Sequence, residues 1–425
     1  MSSSADVAAS SRKLDLEWVR GQFPSLHQSV NSQPAVFFDA PGGTQVPQRV
    51  IDAVAEYLAN SNANTGGAFV TSRRTDQMIS SARAAMADFL NCATDEIVFG
   101  PNMSTLTFAL SRAIARELKA GDELLVTCLD HDANVSPWLS LEERGVKVRT
   151  VDIRLSDCTL DMFDLSAKVR RNTRLVAIGW AANAVGTIND VPEIVRRAHA
   201  TGAMTFVDAV HYAPHGLIDV RAVDCDFLAC SSYKFFGPHL GILYGKREHL
   251  QRLRPYKLRA CTDQLPDRWE TGTQNHEGLA GLIAAVEYIA DLGRHHDPDA
   301  TGRREAILAA YKVMQQHERE LSGRLIEGLL AVPGLTFFGI SNPEKFDRRT
   351  PTVAIRMEDY TPRELSGYLG DRGIFTWDGN YYAINLTERL GVEHSGGFLR
   401  IGLTHYNTAE EVERLLAELR TLAKK

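Results

Sequence analysis

The chain of 425 residues is 44% hydrophobic, 24% charged and 8% aromatic, the balance of a folded globular protein, which excludes disordered, collagenous and low-complexity classes. Its 47 basic and 53 acidic side chains leave a net charge of −6 with mixed signs, so no basic stripe invites nucleic acid or an anionic membrane surface. No run reaches the ~18 apolar residues a membrane span needs, and at roughly 150 residues per domain the length suits two or three domains.

The opening MSSSADVAASSRKLD lacks the apolar core of a secretory signal and reads as a flexible tail over residues 1–13. A short helix from Leu14 to Phe23 follows, within a segment (14–30) expected to pack with the C-terminal part, and then the apolar run Ala35 to Phe38. Seven strand candidates succeed it: Glu96 to Phe99, Glu123 to Cys128, Lys147 to Val151, Arg174 to Ile178, Met204 to Val207, Phe227 to Cys230 and Gly241 to Tyr244. Amphipathic stretches such as Asp76 to Leu90 and Val191 to Ala200 lie between them, so the pattern is βαβ with a largely parallel sheet covered on both faces. After Glu277 the pattern changes to long helices, Leu279 to Leu292 and Thr301 to Leu330. Strands at Leu335 to Phe338, Thr352 to Arg356 and Phe398 to Leu403 then alternate with helices Pro362 to Asp371 and Ala409 to Leu422. The expectation is an α/β large domain over residues 31–285 and a smaller α+β domain over 286–425, with Gly293, His295, His296 and Pro298 as connector.

The six cysteines (Cys92, Cys128, Cys158, Cys225, Cys230, Cys261) show neither a CxxC pair nor zinc-site spacing, which points to a reducing, cytoplasmic setting. There is no GxGxxG after the first strand, GILYGK is too short for a P-loop, and no HExxH occurs. His295 and His296 have no third ligand nearby, so no metal site is expected.

In an open parallel sheet ligands gather beyond the carboxyl ends of the strands. Asp208 opens DAVHYAPH after one strand, Lys234 lies in SSYKFFGPHLG after another, Asp130 and His131 follow a third, and Asn183 lies in AANAVGTIND after a fourth. A lysine able to condense with an aldehyde and a carboxylate able to keep a pyridine nitrogen protonated suit pyridoxal 5'-phosphate. Either alone says little, since a strand-ending aspartate is commonly a cap and a lysine before aromatics a surface residue.

The ordered set resembles the class V aminotransferase superfamily from Phe37 to Thr408, and within it the cysteine-desulfurase-like proteins. That resemblance implies a fold-type I enzyme with pyridoxal 5'-phosphate on a mainly parallel seven-stranded sheet. It also implies a smaller C-terminal domain and a homodimer sharing its active sites between subunits. It gives Lys234 as the Schiff-base lysine, Asp208 as the carboxylate under the pyridine nitrogen and His131, in LDHDANVSPW, as the ring that stacks on the cofactor and moves protons. Asn183 and His211 match positions that bond the phenolic oxygen, although the family more often has Gln at the latter. Ser104 and Thr105, in NMSTLTF, and Ser231 match phosphate ligands, and Thr273, in TGTQNHEG, the threonine that reaches the partner subunit's phosphate. Arg400, in GGFLRIGLTHYNT, matches the clamp on the substrate carboxylate, and Asn183 and Tyr382 complete the substrate side.

The chain departs from cysteine desulfurases in one loop. Their mobile cysteine stores sulfur as persulfide, whereas GIFTWDGNYYAINL contains none, with Tyr382 at or beside the missing position and Asn380 and Tyr381 where histidines are common. Trp377 stands for an arginine and Tyr233 for the histidine before the lysine. The resemblance, with this departure, implies a lyase acting at the β-carbon of a small amino acid, of the cysteine sulfinate or selenocysteine type. A class V aminotransferase, an epimerase or a carbon–carbon bond-forming enzyme on the same scaffold is the alternative, and the intact Lys234, Asp208 and Arg400 speak against a non-catalytic scaffold.

Overall fold

The computed structural model describes residues 13–424, so the expected tail lies, but for its last residue, outside the described residues. The seven strand candidates form one seven-stranded sheet: β1 (Ile97–Gly100), β2 (Glu123–Thr127), β3 (Lys147–Val151), β4 (Thr173–Gly179), β5 (Met204–Asp208), β6 (Phe227–Ser231) and β7 (Gly241–Gly245). The order across the sheet is β1-β7-β6-β5-β4-β2-β3. The strands β1, β2, β6 and β7 are buried along their whole length, as a sheet covered on both faces demands.

The six neighbouring pairings follow two rules. Helix-length crossovers let β2, β3, β4, β5 and β6 run parallel, while β7 pairs antiparallel with both β6 and β1. The connection from β6 to β7 is too short for a crossover helix, so the chain turns back on itself. That connection carries Lys234.

Helix α1 (Leu16–Gly21) is tied to the C-terminal part, with Arg20 Nη1 donating to the Tyr406 carbonyl at 2.7 Å and pairing with Glu411 at 2.9 Å. Around the sheet lie α2 (Gln48–Asn60), α3 (Val70–Leu90), α4 (Met103–Ile114), α5 (Val191–His199) and α6 (His276–His296). Gly293, His295 and His296 are therefore the last turns of α6 and not a connector, and the chain breaks only at Asp297. The glycine has a packing reason: a Cβ there would sit 1.8 Å from the Ala306 carbonyl of α7 (Arg303–Leu330). Read from sequence, a glycine suggests a break; here it lets two helices cross closely. The proposed division between residues 285 and 286 falls inside α6.

The C-terminal sheet has the order β8-β9-β11-β10, from β8 (Leu335–Phe338), β9 (Thr352–Met357), β10 (Trp377–Gly379) and β11 (Phe398–Gly402), all antiparallel. It packs with α7, α8 (Pro362–Gly370) and α9 (Ala409–Leu422) around Leu325, Leu329, Ile355, Leu369, Ile401 and Leu416. Strand β10 opens the segment read as a cysteine-free loop and sets Trp377 opposite Arg400 of β11. The pair Val36–Phe37 and Ile374–Phe375, bonded in parallel, joins the beginning of the large unit to that segment. No helix among the described residues is long and apolar enough to cross a membrane.

Candidate active site

The strand ends of the large sheet and the segment 377–382 enclose a cavity of about 630 Å³. Of the residues expected from sequence, Ser104, His131, Asn183, Asp208, His211, Ser231, Lys234, Tyr382 and Arg400 all line it. Thr105 and Thr273 do not; both are exposed. The true cap of α4 is Asn102, whose Oδ1 accepts from the Thr105 N–H at 2.8 Å, so Asn102, Met103 and Ser104 are the residues of that helix start that face the cavity. An asparagine just before an apolar periodic run is the sequence signal for such a cap.

Three adjoining strands supply the floor. Asp208 ends β5 beside Gly179 of β4 and Ala229 of β6. Its Oδ1 accepts from the Val210 N–H at 2.9 Å. Burial raises this carboxyl to about 6, against the pull of that N–H and of Lys234. Asp130, which follows β2, is also buried and is raised to about 7, although Thr127 and Asn134 both donate to it. A Cβ on Gly179 would sit 2.9 Å from Asp130 Oδ1, so this glycine makes room for a second carboxylate beside the first. The sequence places Asp130 at a strand end, but its position beside Asp208 depends on strand neighbours that the sequence does not reveal.

Lys234 Nζ donates to the Pro41 carbonyl and lies 4.8 Å from the centroid of the Tyr233 ring. Its enclosure lowers the ammonium to about 7; Arg400 pushes the same way and Asp208 opposes. His131 accepts the Ala133 N–H on Nδ1 at 3.0 Å and faces the Tyr382 ring at 5.3 Å. Burial, with Lys234 and Arg400 nearby, lowers it to about 4, so at neutral pH the ring is uncharged and its proton sits on Nε2. His211, bonded through Nε2 to the Thr350 hydroxyl at 3.2 Å, is likewise held neutral by burial.

Arg400 on β11 is 4% exposed and is lowered to about 10 by burial. Asp39, whose Oδ1 has no partner, is raised to about 6 by burial, which the Arg400 charge partly offsets. Two further buried polar atoms here, Arg400 Nε and Asn183 Oδ1, have no partner within the protein. Buried polar groups left this way are costly unless a ligand meets them.

These residues fit pyridoxal phosphate. The first turn of α4 leaves the Ser104 N–H for a phosphate, since Met103 and Thr105 donate theirs to Ser231 and Asn102, and the Ser231 hydroxyl, which accepts the Met103 N–H at 3.3 Å, keeps its own proton to donate. Strand β7 closes on this helix start so tightly that a Cβ at Gly241 would lie 2.3 Å from the Asn102 backbone. Lys234 would meet the aldehyde and Asp208 the ring nitrogen.

The aromatic segment is held down. Tyr382 N donates to Asn380 Oδ1 at 3.0 Å, its carbonyl accepts from Asp132 N at 2.7 Å, and the Tyr381 carbonyl accepts from Asn183 Nδ2 at 2.9 Å. Among the described residues no cysteine lines the cavity.

Comparison with known proteins agrees with this geometry. The pattern of the class V aminotransferases matches residues 36–415. A cysteine desulfurase of Pectobacterium carotovorum subsp. carotovorum (strain PC1) is 32% identical over 96% of this chain and 98% of its own. An aminotransferase-like protein of Gibberella zeae is 32% identical over 96% and 99%. Among solved structures, apo cysteine desulfurase from Thermococcus onnurineus NA1 superposes with a TM-score of 0.86 at 26% identity, covering 97% of this chain and 99% of that one. The chain belongs to the class V aminotransferase family of pyridoxal-phosphate-dependent enzymes, on the fold-type I scaffold, and is cysteine-desulfurase-like within it.

Proposed function

We propose that this enzyme is a lyase acting at the β-carbon of a small amino acid whose β-substituent leaves without a persulfide-forming cysteine, as a sulfinate or a selenium group does. The observation that carries the reading is the pinned Asn380-Tyr381-Tyr382 segment, which lines the cavity with Lys234 and faces His131, where a sulfur nucleophile would have to sit.

The geometry supports a role for each residue. Arg400 offers an unpartnered Nε to the substrate carboxylate and fixes the α-carbon near Lys234. Lys234 Nζ, lowered to about 7, is uncharged often enough at neutral pH to take the α-proton. Pyridoxal phosphate, when bound, supplies the electron-withdrawing ring that makes this proton removable. Asp208 would hold the ring nitrogen by its charge, and His131, neutral with its proton on Nε2, would lie against the cofactor with that N–H available for proton transfer. Asn183 and His211 would meet the phenolic oxygen, and Ser104, Ser231 and the start of α4 would hold the phosphate. Tyr382, 66% exposed, shapes the substrate side.

A homodimer with shared sites belongs to the same reading: Thr273 is exposed and lies off its own cavity, which suits a phosphate contact across an interface. Six unpaired cysteines suit a cytoplasmic setting. The competing outcome is transamination, favoured by the name of the Gibberella zeae relative. Product analysis separates them: alanine with sulfite from cysteine sulfinate supports the lyase, and a keto acid with aminated cofactor supports the transaminase.

A further inference from the structure

Arg400, Tyr381 and Asn183 form a closed triangle. The Arg400 guanidinium lies 4.0 Å from the centroid of the Tyr381 ring, and its Nη1 donates to the Asn183 carbonyl at 3.0 Å. The Asn183 side chain, through Nδ2, holds the Tyr381 carbonyl at 2.9 Å. One asparagine thus fixes both partners of the stack, the arginine by its backbone and the tyrosine by its amide.

Tyr381 is set in place deliberately. Its backbone takes φ +57°, a left-handed conformation that a bulky residue adopts only under constraint, and Tyr382 follows at +59°. The phenol shares its proton between the carbonyls of Phe398 and Trp377, the latter at 2.8 Å. The hydroxyl is therefore spent on the backbone, and what the tyrosine gives to the cavity is its ring face.

Arg400 needs that face. It is a buried cation with no ion pair among the described residues, and Asp39 reaches it only at longer range. With Nη1 on Asn183 and one flat side against Tyr381, the guanidinium has its Nε side left, and Nε is the buried unpartnered atom. That side of the fork is one a carboxylate takes with two parallel hydrogen bonds.

We propose that Tyr381 is a positioning residue for the substrate carboxylate: its ring covers one face of Arg400 and turns the Nε–Nη2 side into the cavity. This rests on the reading of Arg400 as the carboxylate site. A desolvated cation–π contact corresponds to about a tenfold effect or more on binding, and that effect should fall on ligands that carry a carboxylate and on no others.

The test uses the holoenzyme and two simple ligands, L-alanine and ethylamine, which differ by the carboxylate. Dissociation constants are read from the change in the visible absorption of the bound cofactor, with near-ultraviolet circular dichroism as the check on folding. Tyr381→Leu should lower the preference for alanine over ethylamine by about tenfold while ethylamine binding stays as in the wild type. Tyr381→Phe, which keeps the ring, should retain most of the preference. An unchanged preference in Tyr381→Leu, or a loss in Tyr381→Phe as large as in Tyr381→Leu, would overturn the role of the ring. A wild-type spectrum that responds to alanine no more strongly than to ethylamine would overturn the Arg400 reading itself, and this inference with it.

Discussion

The Cys128 thiol donates to the backbone carbonyl of Asn385 at 3.2 Å, so a cysteine does touch the segment from Gly373 to Leu386, but from outside the cavity. Burial pushes this thiol up to about 12, with Asp152 adding to the effect. A neutral, buried thiol bonded to a carbonyl is a poor nucleophile. Replacement of Cys128, or of any of the other five cysteines, by Ala should leave turnover largely intact. Cys128 should also resist iodoacetamide at pH 8 in the folded enzyme, as peptide mass spectrometry would reveal. Loss of turnover on replacing one cysteine would mean that it has taken over the sulfur chemistry.

Lys234 is expected to be the residue that borohydride fixes to the cofactor. Lys234→Ala should hold pyridoxal phosphate only without a covalent bond and lose roughly 10²–10⁴-fold in kcat. Peptide mapping of the reduced wild-type protein checks the first statement, and steady-state kinetics the second. Label on another lysine would contradict the assignment.

The depressed Lys234 value has a pH signature. Below about 7 the amine is protonated and cannot condense; above it the amine is free. The rate at which apoprotein captures pyridoxal phosphate should therefore climb with pH up to about 7 and then level off. A rate that keeps climbing towards pH 10 would show an unshifted lysine.

Asp208→Asn keeps the volume and the acceptor for the Val210 N–H but removes the charge. It should fold normally, bind cofactor and lose on the order of a hundredfold in kcat. Turnover at the wild-type rate would mean that the ring nitrogen does not depend on this carboxylate.

Gly293→Ala tests the crossing of α6 and α7. The added methyl would meet backbone, not a movable side chain, so it should cost about 2 kcal/mol and lower the Tm, with no direct effect on the cavity. An unchanged melting curve would show that the helices can separate freely.

Much of this was legible in the sequence because the large sheet is buried on both faces: Leu124, Val126, Leu175, Phe206 and Leu228 announce strands by continuous apolarity. Lys234, Asp208, His131 and Asn183 were legible because strand ends place them, whatever the loops do. The reversal of β7 was not, since an apolar run carries no direction. Nor was the helical character of Gly293, whose packing reason lies on another helix. The same holds for the site's partners: Asp130 beside Asp208, Tyr381 over Arg400 and Cys128 against Asn385 join residues far apart in the chain. Thr105 resembles Ser104 as a phosphate ligand in sequence because spacing locates a helix start only to within a residue or two.

Sulfur is proposed to leave the β-carbon without being parked on a cysteine of this enzyme. The direct measurement compares initial rates of sulfide release from L-cysteine and sulfite release from L-cysteine sulfinate, on holoenzyme without added thiol, followed by intact-protein mass spectrometry. Fast sulfite release, slow sulfide release and no mass gain of a sulfur atom are expected. Fast sulfide release accompanied by a persulfide on any cysteine would contradict it.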